Sequence, residues 1–176
     1  TNKTLVILGY GGIGSQVAKL GKAFGMRVTG IRRNPQDDEH ADEVLGLDRF
    51  EELLPLTDYL VLSLPDSSQT RDIINADILE KINSSAMIIN VGRGTAINED
   101  DLTHALNDGK IAAAALDTTK VEPLDANSSL WTAKNCFISA HDSAHSLLSL
   151  ERAFELFFQN IKNIQNGQPI KNLYSE

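Results

Sequence analysis

A chain of 176 residues with 41% apolar side chains has enough material for one hydrophobic core. Its 16 basic and 24 acidic residues leave a net charge of −8, which sets it against nucleic acid and anionic membranes, because their phosphates would be repelled. A single cysteine, Cys136, excludes an internal disulfide and fits a reducing cytoplasm, and no apolar run or leader pattern points to a membrane.

The first strand is expected over 4–8 and runs directly into Gly9-Tyr10-Gly11-Gly12-Ile13-Gly14. A G-x-G-x-x-G between a strand and a helix is the dinucleotide fingerprint. Gly9 permits the turn, Gly11 lets the backbone approach a pyrophosphate, and Gly14 allows close helix–strand packing. The helix that follows carries Ile13, Val17, Leu20, Gly21 and Phe24 at helical spacing, and Gly25 stops it. The second strand, over 27–31, ends in Arg32 and Arg33, where an NAD site normally places a carboxylate for the ribose 2′-hydroxyl. A guanidinium grips a 2′-phosphate, so NADP(H) is expected over NAD(H), with Arg32 the better candidate.

Further strands are expected over 59–64, 87–91, 111–116 and 136–139, most of them continuous apolar runs suited to a sheet covered on both faces. Asp48, Asn75 and Asn98 are placed to cap helices over 49–54, 76–82 and 99–106, and Gly109 closes the last of these. A final stripe of Leu147, Leu150, Phe154, Phe157, Ile161 and Ile164 marks a long helix ended by Gly167 and Pro169. Strand–helix alternation of this kind predicts an α/β Rossmann fold, a doubly wound parallel sheet of about six strands with helices on both faces.

In the second half, Asn90-Val91-Gly92-Arg93-Gly94, Ala115-Leu116-Asp117, Glu122-Pro123-Leu124 and Ser139-Ala140-His141 follow one another in a telling order. Together with the glycine motif and Leu64-Pro65-Asp66-Ser67-Ser68-Gln69-Thr70-Arg71, the sequence resembles the D-isomer-specific 2-hydroxyacid dehydrogenases over essentially its whole length. The resemblance implies that Arg93, Glu122 and His141 are catalytic and that Asp117 holds the nicotinamide carboxamide. It also implies that Gly12, Ile13, Leu64, Pro65, Thr70, Val91, Gly92 and Arg93 line the cofactor. Three departures stand out: Thr118-Thr119-Lys120 replaces an apolar pair after the Asp, Ala140 replaces a proline, and Asp142 follows the His.

The residue types suit the chemistry. Reduction of a 2-keto acid needs a hydride donor, a proton donor and a cation for the carboxylate. His141 can serve as the acid, Glu122 can orient its ring, and Arg93 can bind the carboxylate and polarise the carbonyl. His145, four residues on, is a rival to His141 but stands at the start of a helix rather than at a strand end. No metal is called for. The resemblance also implies a separate substrate domain outside this sequence, so residues 1–176 are read as one cofactor domain. That domain is expected to bind dinucleotide but to turn over a 2-keto or 2-hydroxy acid weakly by itself, and to form a homodimer. The competing reading is a non-catalytic dinucleotide-sensing module, like the corepressors that resemble this family.

Overall fold

The apolar runs form one parallel sheet. The computed structural model describes residues 2–172 and contains β1 (Thr4–Leu8), β2 (Arg27–Ile31), β3 (Glu43–Leu45), β4 (Tyr59–Leu62), β5 (Met87–Asn90), β6 (Ala113–Leu116) and β7 (Cys136–Ile138). They pair in the order β3-β2-β1-β4-β5-β6-β7, every pair parallel. The order reverses between β1 and β4, which opens a crevice at the C-terminal ends of those strands, the place where doubly wound sheets take their ligands. The seventh strand, β3, is one more than expected. It is three residues long and buries only Val44 fully, with Leu45 partly buried, so it carries no periodic signal of its own. Asp42 fixes its start by accepting a bond from the Val28 amide at 2.8 Å and an ion pair from Lys22 at 2.5 Å.

Alternate residues of the strands feed two cores. Val6, Leu8, Leu60, Leu62 and Ile88 join the larger one, which receives α3 (Ala76–Lys81) and α4 (Glu99–Asn107). Leu5, Ile7, Val28 and Val61 join the smaller one on the opposite face, under α1 (Gly12–Ala23). Asn75 and Asn98 cap α3 and α4 as expected, accepting from the amides of Ile78 and Asp101. Gly109 follows α4 with φ +72°.

Two local expectations need correction. Asp48 does not cap a helix over 49–54. It lies inside a 3₁₀ turn, Leu47–Arg49, that leads into the short α2 (Phe50–Leu53), which has no side-chain cap. Its carboxylate instead folds over Gly46, where an added Cβ would lie 2.3 Å from Asp48 Oδ1. On α1 the buried positions are Gly14, Ala18 and Gly21, while Leu20 and Phe24 are 62% and 71% exposed. The reason is close approach: a Cβ at Gly21 would come within 2.6 Å of Leu5 Cδ2. The helix therefore lies on the sheet through its small residues. Beside it runs an open apolar groove of about 380 Å³ lined by Leu5, Val17, Leu20, Phe24, Tyr59 and Ile89.

The chain divides into two units, residues 1–141 and 142–176. The second contains α5 (Ser149–Gln165), ended by Gly167 with φ +66°. No residue of α5 is buried, and Phe157 and Phe158 pack edge-on with ring centroids 5.8 Å apart. Leu147, expected at the head of the apolar stripe, precedes the helix.

Candidate active site

The crevice begins at the glycine loop. Gly9 has φ +101°, and a Cβ there would lie 2.7 Å from the backbone of Ser63, so this residue must be glycine for the loops after β1 and β4 to touch. Ser63 Oγ seals the contact by donating to the Gly9 carbonyl at 2.8 Å. Gly11 and Gly12 are different: a Cβ on either would meet nothing within 4 Å. Among the described residues, no neighbouring atom demands glycine at those two positions. Gly11 is the N-cap of α1, no side chain caps that end, and no acidic residue stands in its first turn. Open space over uncapped helix amides fits a dinucleotide pyrophosphate.

At the end of β2, Arg32 is half-buried and donates its amide to Leu45 at 3.0 Å, while Arg33 is exposed and reaches Gln69 Oε1 at 3.2 Å. Arg33 thereby links the loops after β2 and β4. The loop that follows folds back and brings Asp38 within electrostatic reach of Arg32. Its carboxyl is held low, first by the His40 amide, which donates at 2.9 Å, and further by Tyr10, His40 and Arg32. The Tyr10 ring lies so close over β2 that a Cβ on Gly30 would be 2.2 Å from it. Among the described residues its buried hydroxyl has no partner in hydrogen-bonding geometry, and burial, with Asp38 beside it, pushes its pKa up to about 12.

The loops after β4 and β5 are laced together. A Cβ on Gly92 would be 2.8 Å from the Leu64 backbone, which sets Leu64 and Pro65 beside Val91 and Gly92. Asp66 accepts a forked bond from Arg71, at 3.1 and 3.0 Å, and a third from Thr95 Oγ1 at 2.9 Å. Thr70 turns its hydroxyl into its own loop, onto the Pro65 carbonyl at 2.8 Å. Buried Asn90 shapes the turn that carries Arg93, accepting from the Gly92 amide and donating to the Arg93 carbonyl, both at 3.0 Å. The exposed Arg93 guanidinium bonds the Gly92 carbonyl at 2.9 Å and forms no ion pair among the described residues. It lies close enough to act on the carboxylates of both Asp66 and Glu122.

Beyond β6 the chain passes Gly94, where a Cβ would sit 2.0 Å from the Thr119 carbonyl carbon. That tight crossing holds Thr119 in place. Its amide donates to Glu122 Oε1 at 3.1 Å, and Glu122 Oε2 in turn meets His141 Nδ1 at 2.8 Å. Glu122 is held below the usual carboxyl range, mainly by His141 and secondarily by the Thr119 amide and Arg93. His141 has φ +55°, a turn that follows β7 directly. Asp117 is buried at 6% exposure, and Ser139 Oγ donates to its Oδ1 at 2.7 Å.

All three catalytic candidates thus lie beyond the C-terminal strand ends of one unit. Glu122 and His141 are in direct contact, and Arg93 is close enough to act on Glu122. His145 belongs to the second unit. Asn90, Ser139 and the Thr119 amide were not singled out as site residues from sequence. Asn90 and Ser139 stand inside the quoted motifs, so a turn-holding Asn was open to recognition. A backbone amide leaves no mark in sequence.

This arrangement defines a dinucleotide-binding domain with a His–Glu contact at the C-terminal edge of its sheet. Residues 1–143 match the family described as D-isomer specific 2-hydroxyacid dehydrogenase, NAD binding domain, and the chain belongs to that family. It is 35% identical over 170 residues to a hydroxypyruvate reductase of Blautia hydrogenotrophica, covering 96% of this chain and 52% of that protein. A D-isomer specific 2-hydroxyacid dehydrogenase family protein of Aeromonas salmonicida superposes with TM-score 0.89 at 37% identity, over 99% of this chain and 56% of the other. An NADPH-dependent glyoxylate/hydroxypyruvate reductase of Sinorhizobium meliloti, solved with NADP and sulfate, gives 0.88 at 29% identity, over 98% and 55%. The chain spans about half the length of the curated relatives it matches.

Proposed function

We propose that this chain is the cofactor half of an NADP(H)-preferring reductase of small 2-keto acids of the glyoxylate and hydroxypyruvate type. The observation that carries the reading is the His141–Glu122 contact at 2.8 Å, with Arg93 nearby, at the same C-terminal edge of the sheet as the open glycine loop. When bound, the nicotinamide supplies the hydride in reduction and accepts it in oxidation. The chain's own residues do the rest. Arg93 binds the substrate carboxylate and draws charge toward the carbonyl oxygen. His141, anchored through Nδ1, presents Nε2 to that oxygen and delivers the proton that completes the alcohol. Glu122 fixes the ring, and the Thr119 amide fixes Glu122. Asp117 receives the carboxamide N–H.

The glycine loop, with Ile13, Leu64, Pro65 and the Val91–Arg93 backbone, holds the dinucleotide. Arg32, supported by Arg33, takes the 2′-phosphate. Titration with NADPH and NADH tests this: NADPH should bind more tightly, and Arg32→Asp should abolish the difference. Equal affinities in the unaltered chain would make Arg32 a solvated strand-end residue and return the reading to NAD(H).

The residues described above build one wall of a substrate cleft. The isolated chain is therefore expected to bind cofactor and reduce keto acid poorly, and rapid turnover by the purified 176-residue chain would refute this. The exposed apolar residues of α5, Phe154 and Phe157 among them, and exposed Trp131 support a homodimer, which light scattering at micromolar concentration tests. A lone, half-buried Cys136, its thiol pushed up to about 11 by burial, supports a cytoplasmic setting.

A further inference from the structure

We infer that Ser139 is a positioning residue for the nicotinamide, because its hydroxyl sets the direction in which the buried Asp117 carboxylate faces. The inference rests on the reading of Asp117 as the carboxamide acceptor. Strands β6 and β7 pair in parallel with Leu116 opposite Ile138, so the next residues, Asp117 and Ser139, leave the sheet side by side. Both are still tied to the ladder. The Asp117 amide donates to the Asn90 carbonyl and the Ser139 amide to the Leu116 carbonyl, each at 2.9 Å. Two backbone positions are thus fixed, and what remains to be set is the rotation of the Asp117 side chain.

Ser139 Oγ sets it, with a 2.7 Å bond to Oδ1. A hydroxyl has one proton to give, and a carboxylate buried at 6% exposure is a strong acceptor, so the proton is committed to this bond. Fixing one oxygen of a planar carboxylate fixes the other. Ser139 also stands two residues before His141. The same bond therefore ties the segment that carries the proton donor to the residue that orients the hydride-bearing ring. Outer partners of this kind commonly change affinity when removed without touching the ligand themselves.

The test compares the purified chain with Ser139→Ala, Ser139→Thr and Asp117→Asn. Each is titrated with the tighter-binding of NADPH and NADH, and with the matching ADP-ribose fragment that lacks nicotinamide. Ser139→Ala should lose about three- to tenfold in dinucleotide affinity, the scale of one ordinary hydrogen bond, because the carboxamide bond is misdirected rather than lost. Fragment affinity should not change, which also shows that the variant is folded. Ser139→Thr keeps the donor and should restore the unaltered value. In the 3-acetylpyridine analogue the carboxamide N–H₂ is replaced, and the Ser139→Ala loss should vanish.

Equal weakening of dinucleotide and fragment, or of neither, overturns the role given to Ser139. If Asp117→Asn removes the preference for dinucleotide over fragment and Ser139→Ala leaves it intact, the inference alone falls. If the unaltered chain binds both equally and Asp117→Asn changes neither, the reading of Asp117 falls and takes the inference with it.

Discussion

Replacing Gly11 by alanine should separate stability from cofactor binding. Gly11 is the N-cap of α1, at φ −126° and ψ −149°, and a Cβ there meets no atom within 4 Å. Loss of glycine's freedom in the unfolded chain favours the variant by about 0.4–1 kcal/mol. Alanine is a poorer N-cap than glycine, at a cost of about 0.5–1 kcal/mol. The two nearly cancel, so at about 2–4 °C per kcal/mol the melting temperature should stay within about 3 °C of the unaltered chain. Binding should respond very differently. The new methyl fills the space over the helix amides, and losing one charged hydrogen bond, about 1.5–3 kcal/mol, weakens the dinucleotide roughly ten- to hundredfold. Differential scanning fluorimetry and a fluorescence titration with NADPH and NADH read the two quantities separately. Unchanged affinity would show that no pyrophosphate lies over this loop. A fall of more than about 5 °C in melting temperature would show that the space is not open.

Gly94→Ala should do the reverse, because its Cβ would lie 2.0 Å from the Thr119 backbone. Overpacking of this kind costs about 1–3 kcal/mol, so calorimetry should register a clear drop in melting temperature, and an unchanged value would contradict the tight crossing. Tyr10→Phe removes a buried hydroxyl with no well-formed partner among the described residues, and urea denaturation should show equal or higher stability. A loss above about 1 kcal/mol would mean that the hydroxyl bonds Asp38 productively.

Acid should weaken the fold through Asp42, Asp58 and Glu122, whose carboxyls are lowered chiefly by Lys22, Lys3 and His141 respectively. Depressed carboxyls contribute stability above their unfolded values, 3.8 for Asp and 4.5 for Glu, and lose it as pH falls through the folded ones. Urea midpoints between pH 6 and pH 3 should fall, and Asp42→Asn with Asp58→Asn should flatten that slope. A parallel slope in the double variant would assign the acid sensitivity elsewhere.

The sheet was legible because parallel strands read as mostly apolar runs between helical stretches, and six of the seven were expected in that way, β2 despite its Thr29 and Gly30. β3 was not, since Glu43-Val44-Leu45 buries only one full side chain and is held by Asp42 from outside the strand. Helical spacing picked Leu20 and Phe24 for the core of α1, but the helix had to come too close to the sheet for side chains of that size. Spacing reports which residues share a stripe, and contact distance decides which stripe is buried. The site divides in the same way. Side chains that perform chemistry, Arg93, Glu122 and His141, stand in recognisable motifs. The partners that hold them do not, because the Thr119 amide and the fold-back of Asp38 toward Arg32 depend on where loops cross.

The open groove beside α1 has a practical consequence for anyone following the unfolding of this chain. Its walls of Leu5, Val17, Leu20, Phe24 and Ile89 offer a folded molecule an apolar slot of about 380 Å³. Anilinonaphthalene sulfonate brightens on just such surfaces, and that brightening is commonly taken as the mark of a molten globule. Here the native state should already fluoresce with the dye, and loosening of the fold should dim or broaden a signal that was present from the start. Loss of tertiary structure in this protein is better followed by near-ultraviolet circular dichroism.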